Sequence, residues 1–532
     1  MLTLLCLFLA LPVLGVLGAW LAMDEAAWAV LQHQWATVLP EYAWQSLLLA
    51  AGVGLGVLVL GSALAAAVTL FDFPGRRVFE WALLLPLAMP AYVLAYAWTD
   101  ALQFSGPLQT SLRATFGWSG ALWPDVRSAW GAVVLFVLCL YPYVYLLVRT
   151  ALAERAVQMM EAARLLGAPL RRRVLAVALP MARPAIAAGT ALALMETLAD
   201  YGVGAYFGLA TFSTGIYKAW LVMDDRIAAA QLASMLLLVV AMLLAAERAA
   251  QRKLRFASSR GGNRQGSEAQ PAVLHGRAAW LAAGLCTLPV LLGFVLPVLW
   301  LARMLWQEAT GSDFGLPLGR FLEWGWASLR LAGIAALAAT ALALALGFAL
   351  RGRASPVLQP AARVLSLGYA VPGAVIAIGI LLPVGWLQAQ FPQAGVAALV
   401  TGTAFGLVYA YMVRFSAVAL QSVEAGYARV PVSIDETARM LGSRPPRVFF
   451  SLHLPLLQRS ALAAALLVFV DVMKELPATL VLRPFGSDTL AVVAYNFARD
   501  ERLAEAALPS LAIVAVGLIP VVMLSRAMRA SS

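Results

Sequence analysis

Charged residues are scarce in this chain of 532 residues, where Asp, Glu, Lys and Arg together make up 12%. A soluble globular protein has roughly twice that share, about 25%. Hydrophobic residues account for 62% of the chain, and the mean hydropathy is +0.83. These polar groups are too few to cover the surface of a water-soluble protein of this size. The composition therefore excludes the soluble classes and predicts a protein embedded in a membrane.

Cysteine and histidine are also rare, with three residues of each type. The cysteines lie in apolar segments without metal-like spacing, so small buried hydrophobic roles are the favoured interpretation. The histidines are scattered, and a histidine-based metal site has no support. The six residues are Cys6, Cys139, Cys286, His33, His275 and His453.

The chain has only three lysines, Lys218, Lys253 and Lys474, and none of them follows a glycine. A P-loop that binds and splits ATP needs a glycine-rich loop ending in Gly-Lys-Ser or Gly-Lys-Thr. We therefore predict that this chain is not an enzyme of that kind, that it binds no cofactor of its own and that any energy from ATP comes from a separate subunit.

Long apolar runs are abundant. A helix that crosses a membrane needs about 20 mostly apolar residues, and these runs are continuous, without the alternation typical of barrel strands. The sequence predicts an all-α polytopic membrane protein with about twelve spans. The first 22 residues lack a basic leader, so we interpret them as a retained first span. The predicted spans are 3–22, 43–70, 79–99, 129–149, 184–204, 229–247, 278–301, 327–350, 361–387, 394–414, 460–482 and 504–525.

The net charge of +11 indicates topology here and does not indicate a nucleic-acid partner. With twelve spans, most of the 38 Lys and Arg residues fall on one side of the membrane. Positive charge stays on the cytoplasmic side during insertion. The distribution therefore predicts that both termini are cytoplasmic.

The chain is internally repeated. Residues 251–276 are rich in Arg, Gly, Ser and Gln and read as a cytoplasmic linker. They separate a first domain, 1–250, from a second, 277–532, each with six predicted spans. Pro90 and Pro372 occupy corresponding places in the third span of each half. Two fused copies with the same orientation predict a pseudo-two-fold axis along the membrane normal, with a pathway between the copies.

The most informative repeat lies in two polar islands between spans. EAARLLGAPLRRRVLAVALP runs from 161 to 180, and ETARMLGSRPPRVFFSLHLP runs from 436 to 455, so the second copy begins 275 positions later. We name the surrounding regions the first docking segment (151–180) and the second docking segment (425–455). Both are predicted to be cytoplasmic, with a helix, a turn at Gly167 or Gly442, and a second short helix carrying Arg171–Arg173 or Arg447.

An interfacial helix pair that only anchors in lipid headgroups is the plainer alternative. It does not require one Glu–Gly–Pro spacing to be kept in both halves. Contact with a partner in water is therefore the favoured interpretation.

Glu161-Ala162-Ala163, Gly167 and Leu179-Pro180 resemble the EAA signature of ABC importer permeases. The second copy resembles it too, with Thr437 in place of the first alanine. Nearly the whole chain is similar to the fused, double-length ferric-iron permeases, through METLADYGVGAYFG (195–208), STGIYKAW (213–220) and the string from 469 to 511.

The resemblance implies two homologous six-helix type I ABC importer permease domains in the bacterial cytoplasmic (inner) membrane. It implies Fe(III) as cargo, an extracytoplasmic iron-binding protein, and two copies of a cytoplasmic ABC ATPase that uses ATP and Mg²⁺. The residues that it assigns to ATPase docking are Glu161, Ala162, Ala163, Gly167, Pro180, Glu436, Thr437, Ala438, Gly442 and Pro455.

Each half also carries an acidic pair at i and i+4 after its docking segment. Glu196 and Asp200 match Asp471 and Glu475, and Lys474 lies beside the second pair. Carboxylates inside a membrane are costly and usually face a cavity or a partner. We expect each pair on one helical face, where the four carboxylates would give a hard cation such as Fe(III) a transient oxygen-rich path without a fixed metal site. Holding the central helices together, with Lys474 as an ion-pair partner, is an equally weighted alternative.

Other interpretations stay open at this point. Tyrosine phenolates ligate ferric iron, but an interfacial aromatic role is favoured for Tyr201, Tyr206, Tyr217, Tyr411 and Tyr495. The same importer class with thiamine, sulfate, molybdate or polyamine as cargo is the main alternative function. An ion-gradient-driven secondary transporter explains the spans and carboxylates but not the duplicated signature. A non-transporting membrane scaffold is the least favoured.

Overall fold

The computed structural model describes residues 2–153, 157–259, 271–311, 315–352 and 356–530. Part of the predicted linker, 260–270, lies outside the described residues. So do residues 154–156 of the first docking segment and the side chain of Glu161.

The first part of the chain is a succession of helices with one two-residue strand, β1 (Phe71–Asp72). The helices are α1 (Leu2–Gly18), α2 (Glu25–Thr37), α3 (Leu39–Leu70), α4 (Arg76–Ala82), α5 (Ala91–Leu102), α6 (Pro107–Phe116), α7 (Ala129–Ala151), α8 (Val157–Leu165), α9 (Leu170–Arg173), α10 (Leu179–Ala199), α11 (Gly202–Tyr206), α12 (Phe212–Tyr217) and α13 (Arg226–Ser259).

The second part begins with β2 (Ala272–Val273), which pairs in parallel with β1. Its helices are α14 (Arg277–Val290), α15 (Leu296–Gly311), α16 (Leu318–Arg351), α17 (Leu358–Leu365), α18 (Gly373–Gln390), α19 (Val396–Thr401), α20 (Ala404–Tyr427), α21 (Ser433–Met440), α22 (Pro445–Val448), α23 (Leu454–Lys474), α24 (Pro477–Leu482), α25 (Leu490–Arg499) and α26 (Leu503–Ala530). Short 3₁₀ turns cover Ala19–Ala22, Leu85–Ala88, Gly368–Ala370 and Pro392–Ala394, and π-turns cover Val174–Ala178, Lys218–Val222, Leu291–Val295 and Phe449–His453.

The predicted membrane class is confirmed. Within the described ranges, eleven helices are long and apolar enough to cross a membrane. A bent pair, Arg76–Ala88 with Ala91–Phe116, turns by 90° and gives a twelfth span if it crosses as one unit. Helices are the expected solution, because lipid offers no hydrogen-bond partner to an open peptide group.

The two matched prolines account for the breaks in the third span of each half. Pro90 lies between the two arms of the bent pair, and Pro372 precedes α18. Each has an extended ψ of 141°, and Met89 and Val371 before them are extended as well. Since a proline disfavours the α conformation of the preceding residue, the helix stops at these positions and restarts beyond them.

Several predicted spans have different limits in the structure. The span predicted at 361–387 covers Gly373–Gln390, and the one predicted at 394–414 covers Ala404–Tyr427. Two others differ at both ends for a common reason. The span predicted at 184–204 runs from Leu170 to Ala199, and the one predicted at 460–482 runs from Pro445 to Lys474. Each starts earlier because a π-turn carries the helix past Pro180 or Pro455 without a break. Each stops earlier because the next residue, Asp200 or Glu475, is extended.

The residues pack into two compact units, and each draws on both sides of the linker. Unit 1 comprises Met1–Gln34, Ile216–Leu237 and Pro317–Val493, and unit 2 comprises Trp35–Gly215, Leu238–Leu316 and Ala494–Ser532. The predicted domain division at 250 and 277 describes a repeat in sequence, and it stays a prediction.

In unit 1, α16, α20 and α23 pack against one another, and α1 packs along α18. The α1–α18 contact depends on small residues. A Cβ built on Gly379 would lie 2.0 Å from the carbonyl oxygen of Pro12, and one on Gly15 would lie 2.8 Å from the carbonyl oxygen of Gly379. The Trp20 indole also donates to Ser234 Oγ at 2.7 Å. Close backbone approach at small residues is a common means of association between helices in lipid.

In unit 2, α3, α7 and α10 form the largest cluster, and α15 packs against α26. Gly52 and Gly56 let α3 approach Val133 and Val137 of α7. The indole of Trp300 on α15 donates to Asp100 Oδ2 at 2.9 Å. The unit is therefore held by interlocking small residues with a few polar contacts near the helix ends.

We predict that Gly379→Ala lowers the thermal unfolding midpoint of the purified protein in detergent. The added methyl group meets the backbone of α1, which has no side chain to move aside, and overpacking of this kind costs about 1–3 kcal/mol. Gly333→Ala in α16 is the matched control, because a Cβ there meets no atom within 4 Å. Equal midpoints for the two variants would show that α1 does not depend on this approach.

Candidate functional site

The two docking segments contain the same turn. Gly167 and Gly442 have left-handed φ angles of +77° and +72°. In the first segment the N–H of Ala168 donates to the carbonyl of Ala163 at 3.0 Å, and in the second the N–H of Ser443 donates to that of Ala438 at 3.0 Å. This six-to-one hydrogen bond is a helix C-terminal motif that favours glycine. The predicted glycine turns are confirmed.

A second short helix follows each turn, as predicted. Pro169 precedes the first residue of α9, and Pro445 is the first residue of α22. Both positions suit proline, because the first-turn N–H groups of a helix have no partner within it. Arg171 and Arg172 are exposed on α9, and Arg447 is exposed on α22.

Proline does not interrupt the helix at the end of either docking segment. The π-turns Val174–Ala178 and Phe449–His453 each lie directly before a Leu-Pro pair, and the helix continues through Pro180 and Pro455. A proline lacks the N–H for the hydrogen bond of a regular helix. A wide turn just before it removes the need for that bond. π-turns often occur at functional positions in helices.

Each docking segment exposes two long apolar side chains just before its glycine. Leu165 and Leu166 are each 88% exposed, and Met440 and Leu441 are 89% and 78% exposed. Exposed apolar groups in a segment rich in arginine indicate an interaction site. The sequence carried this signal, since two adjacent large apolar residues precede the glycine in both copies, but the predicted docking residues do not include them.

The signature residues themselves lie mostly on the outer side of the first helix of each segment. Ala162, Glu436 and Thr437 are exposed, Ala163 is half-buried and Ala438 is buried. Glu436 lies in the first turn of α21, where the helix dipole favours a negative charge. These positions leave a face of α21 open to a partner.

A buried charged cluster fixes the other face of the second docking segment. Asp435 receives the Nε–H of Arg351 on Oδ2 at 2.6 Å, and its Oδ1 lies 2.6 Å from Nε2 of His453. Burial alone would raise the pKa of Asp435, but the hydrogen bonds from Arg351 and His453 outweigh burial and hold the pKa below its ordinary value. Sequence reasoning missed this cluster, because its members are far apart in the chain.

The acidic pairs do not share a helical face over their whole length. Glu196 lies in α10 and Asp471 in α23, but Asp200 and Glu475 are the first extended residues after these helices. The expectation of one helical face is therefore wrong for the second member of each pair. Glu196, Asp200, Asp471 and Lys474 are half-buried, and Glu475 is buried.

Asp200 and Glu475 cap the short helices that follow them. Asp200 Oδ1 accepts the N–H of Val203 at 2.8 Å. Glu475 accepts the N–H groups of Ala478 and Thr479 at 2.9 and 3.0 Å. Carboxylates at a helix N-terminus satisfy its open N–H groups. One member of each acidic pair therefore has a capping role.

Glu475 also has a buried ion-pair partner. Its Oε1 lies 3.3 Å from Nη1 of Arg414, and its Oε2 accepts the hydroxyl of Thr479 at 2.6 Å. Tyr411 adds a 2.8 Å hydroxyl contact to Thr479. Arg414 was not among the predicted residues, and it reduces the local negative charge at this position.

Unit 2 has a second polar cluster in the loops that lead into α7 and α26. Arg127 forms two hydrogen bonds to Glu501, at 2.7 and 2.8 Å, and one to the hydroxyl of Tyr206 at 2.9 Å. The hydrogen bonds from Arg127 lower the pKa of Glu501. Tyr201 and Tyr495 pair through their hydroxyls at 3.2 Å. Among the described residues, no group of three His, Cys, Asp or Glu side chains is arranged to hold a metal ion.

Comparison with known proteins gives one matching family model and several relatives that are transport permeases. A family model described as "Binding-protein-dependent transport system inner membrane component" matches residues 57–256. The chain is 26% identical over 494 residues to the Fe(3+)-transport system permease protein FbpB 2 of Haemophilus influenzae, covering 92% of this chain and 90% of that protein.

Two further relatives cover a shorter part of the chain. The molybdenum transport system permease protein ModB of Escherichia coli is 30% identical over 170 residues, which are 31% of this chain and 72% of that protein. The putative 2-aminoethylphosphonate transport system permease protein PhnU of Salmonella choleraesuis is 28% identical over 153 residues, 29% of this chain and 54% of that protein.

We predict that replacing both turn glycines with valine leaves the protein inserted but lowers ATP-dependent transport by membrane vesicles. A Cβ at Gly167 or Gly442 meets no atom within 4 Å, so the effect comes from the left-handed backbone, which β-branched residues strongly disfavour. The double replacement with asparagine is the matched control, because asparagine tolerates this conformation. Full transport by the valine variant would contradict a role for the turns.

Proposed function

The chain belongs to the inner-membrane permeases of binding-protein-dependent ABC importers, and from that premise we propose that it carries ferric iron into the cytoplasm. The observation that carries this proposal is the extent of one similarity. The named ferric-iron permease aligns over 92% of this chain, across both halves and both docking segments. The molybdenum and 2-aminoethylphosphonate permeases each align over about a third of the chain.

Energy comes from outside the chain in this proposal. Two copies of an ABC ATPase bind beneath the membrane, one at each docking segment, and use ATP and Mg²⁺. The exposed pairs Leu165–Leu166 and Met440–Leu441 enter apolar clefts on the ATPases. Arg171, Arg172 and Arg447 meet acidic groups around those clefts. An extracytoplasmic binding protein delivers the cargo on the opposite side, and both termini lie in the cytoplasm.

The docking segments transmit movement because each is continuous with a long span. Residues 170–199 and 445–474 are each helical throughout, so a displacement of α9 or α22 is passed along the same helix into the membrane. ATP binding closes the ATPase pair and moves the two segments, and the path opens outward. Hydrolysis returns the path to its inward-open form.

Carboxylates are the groups that this proposal assigns to the cargo. Fe(III) is a hard cation and prefers oxygen ligands. Glu196 and Asp471 lie within their spans and are half-buried, so they are the members of each pair whose main role we assign to the path. Asp200 and Glu475 combine the capping contacts described above with a negative charge at the point where each helix ends. Lys474 and Arg414 moderate that charge, so the cation is not held too tightly to leave.

Crosslinking tests the importer assignment independently of the cargo. Leu166→Cys and Leu441→Cys are expected to capture an ATPase subunit in native membrane vesicles, because both positions are exposed at the tips of the docking segments. The native cysteines are all buried and leave little background reaction. Val78→Cys, at an exposed position of α4 outside the docking segments, is the matched control and is expected to capture none. Failure of both cysteine variants to capture an ATPase subunit would contradict the proposed ATPase partners.

Neutralisation of the carboxylates tests the cargo. We expect Glu196→Gln and Asp471→Asn to reduce Fe(III) uptake by proteoliposomes while stimulation of the ATPase by the loaded binding protein is kept. Asp200→Asn keeps an oxygen for the capped N–H of Val203, so a loss of uptake in this variant reports the charge. Glu475→Gln keeps one of the two oxygens that accept N–H groups, so it removes the charge together with one capping contact. Glu323→Gln, an exposed acidic residue of α16, is the control.

The outcomes separate two cargo classes. Normal Fe(III) uptake at normal protein levels in all four variants would exclude the cation path. Stimulation of the wild-type complex by a molybdate-loaded binding protein, and not by a ferric one, would instead favour an oxyanion. The 30% identity to a molybdenum permease makes that the second candidate.

A further inference from the structure

The charged cluster of unit 1 joins three helical elements at one point. Arg351 is the last residue of α16, Asp435 lies in the first turn of α21, and His453 ends the π-turn that leads into α23. Asp435 and His453 are 6% and 0% exposed. The two carboxylate oxygens have separate partners, both at 2.6 Å. Movement of any one of these elements therefore displaces the other two.

Arg351 extends the junction to a fourth element. Its Nη2 donates to the carbonyls of Val430 and Pro431, both at 2.7 Å, and its Nη1 donates to that of Tyr427 at 3.3 Å. These carbonyls lie at and just beyond the end of α20. A cation at the C-terminus of a helix is favoured by the helix dipole and satisfies carbonyls left without an intrahelical donor.

Aromatic rings enclose the junction. The ring of Phe348 lies 5.1 Å from that of His453, nearly perpendicular to it, and the ring of Tyr427 lies 5.5 Å away. These rings exclude water from the imidazole. Within such an environment a hydrogen bond to a charged group is stronger than in water, and its loss leaves an unpaired buried charge.

The described part of the first docking segment has no equivalent of this cluster. With the repeat offset of 275, Met160 stands at the position of Asp435 and Ala178 at the position of His453. Both are buried, at 7% and 0% exposure. Among the described side chains, none of the ion pairs involves α8 or α9. At these two positions the first copy thus has buried apolar side chains, whereas the second has a carboxylate and an imidazole.

Stability alone does not explain the difference. Replacing a buried ionic cluster with apolar residues of similar volume is often neutral or stabilising, so a buried cluster is weak evidence for a stabilising role. Its specific property is directional geometry, since a hydrogen bond is favourable only over a narrow range of distance and angle, whereas apolar contacts have no preferred direction.

We infer that the two docking segments work unequally, and that Asp435 is a positioning residue that binds the second segment rigidly to α16, α20 and α23. The inference rests on the proposed coupling to two ATPase subunits. The ATPase beneath the second segment then drives most of the movement of the path. The first segment has apolar side chains at the matching positions, and it contributes a smaller part of the movement of the path.

Three variants test the role of the cluster in proteoliposomes with the cognate ATPase and the ferric-loaded binding protein. Asp435→Asn keeps the volume but removes the charge, and we expect the amount of Fe(III) imported per ATP hydrolysed to fall by roughly 3- to 30-fold, the range that coupling changes of this kind span. The triple variant Arg351→Met, Asp435→Met, His453→Ala leaves no buried charge unpaired. We expect it to keep a near-normal unfolding midpoint and still to lose coupling. Met160→Leu in the first segment is the control and is expected to retain the wild-type ratio.

A well-folded triple variant with the wild-type ratio would overturn the inference, because the cluster would then serve the fold only. A wild-type complex that neither binds the ATPase nor responds to any loaded binding protein would instead overturn the proposed function. The two failures are therefore distinguishable.

A second measurement keeps the native cluster and tests inequality directly. A hydrolysis-deficient ATPase copy is tethered by a disulfide to Leu441→Cys or, in a separate preparation, to Leu166→Cys, with a competent copy on the other segment. We expect the tether at 441 to reduce import several-fold more than the tether at 166. Equal losses of import at the two tethers would overturn the inference, whatever the variants of the charged cluster show.

Discussion

A peptide group has no hydrogen-bond partner in the hydrocarbon of a membrane, and this constraint determines where the chain is helical and where it is not. Most of the described residues lie in helices that satisfy their own backbone. Two interruptions directly after apolar spans are compensated locally. At Asp200 and Glu475 the chain leaves the helix, and the carboxylate of the same residue accepts the N–H groups of the next one. At both of these helix ends an acidic side chain thus accepts N–H groups that the helix leaves open.

The same constraint also applies to side chains, because a buried polar side chain needs hydrogen-bond partners. Arg351 donates to three carbonyls at and just beyond the end of α20 as well as to one carboxylate. Glu475 serves two N–H groups, one hydroxyl and one guanidinium. In a protein with 12% charged residues, these two charged groups thus each make several contacts. A role in the path and a role in the fold are therefore not exclusive for a residue such as Glu475.

Local features of the fold were predictable from the sequence, and long-range ones were not. Apolar length gave the spans, and the positions of Gly167 and Gly442 gave the left-handed turns, because both depend on a few neighbouring residues. The continuation of the helices through Pro180 and Pro455 was missed, since a π-turn leaves no simple pattern. The packing of α1 against α18 was also beyond reach, because it depends on Gly15 and Gly379 meeting across more than 360 residues. For the site, the signature spacing located both segments, while the contact of Asp435 with Arg351 and His453 required three distant positions to be brought together.

The π-turns at Val174–Ala178 and Phe449–His453 have a geometrical consequence. An α-helix advances about 100° of rotation with each residue. Each wide turn holds one residue more than a regular turn, so tightening it would rotate the cytoplasmic portion about the axis of its span by about that angle. A displacement of a docking segment from the cytoplasmic side can therefore be converted into rotation about the axis of the span, while the helix stays continuous.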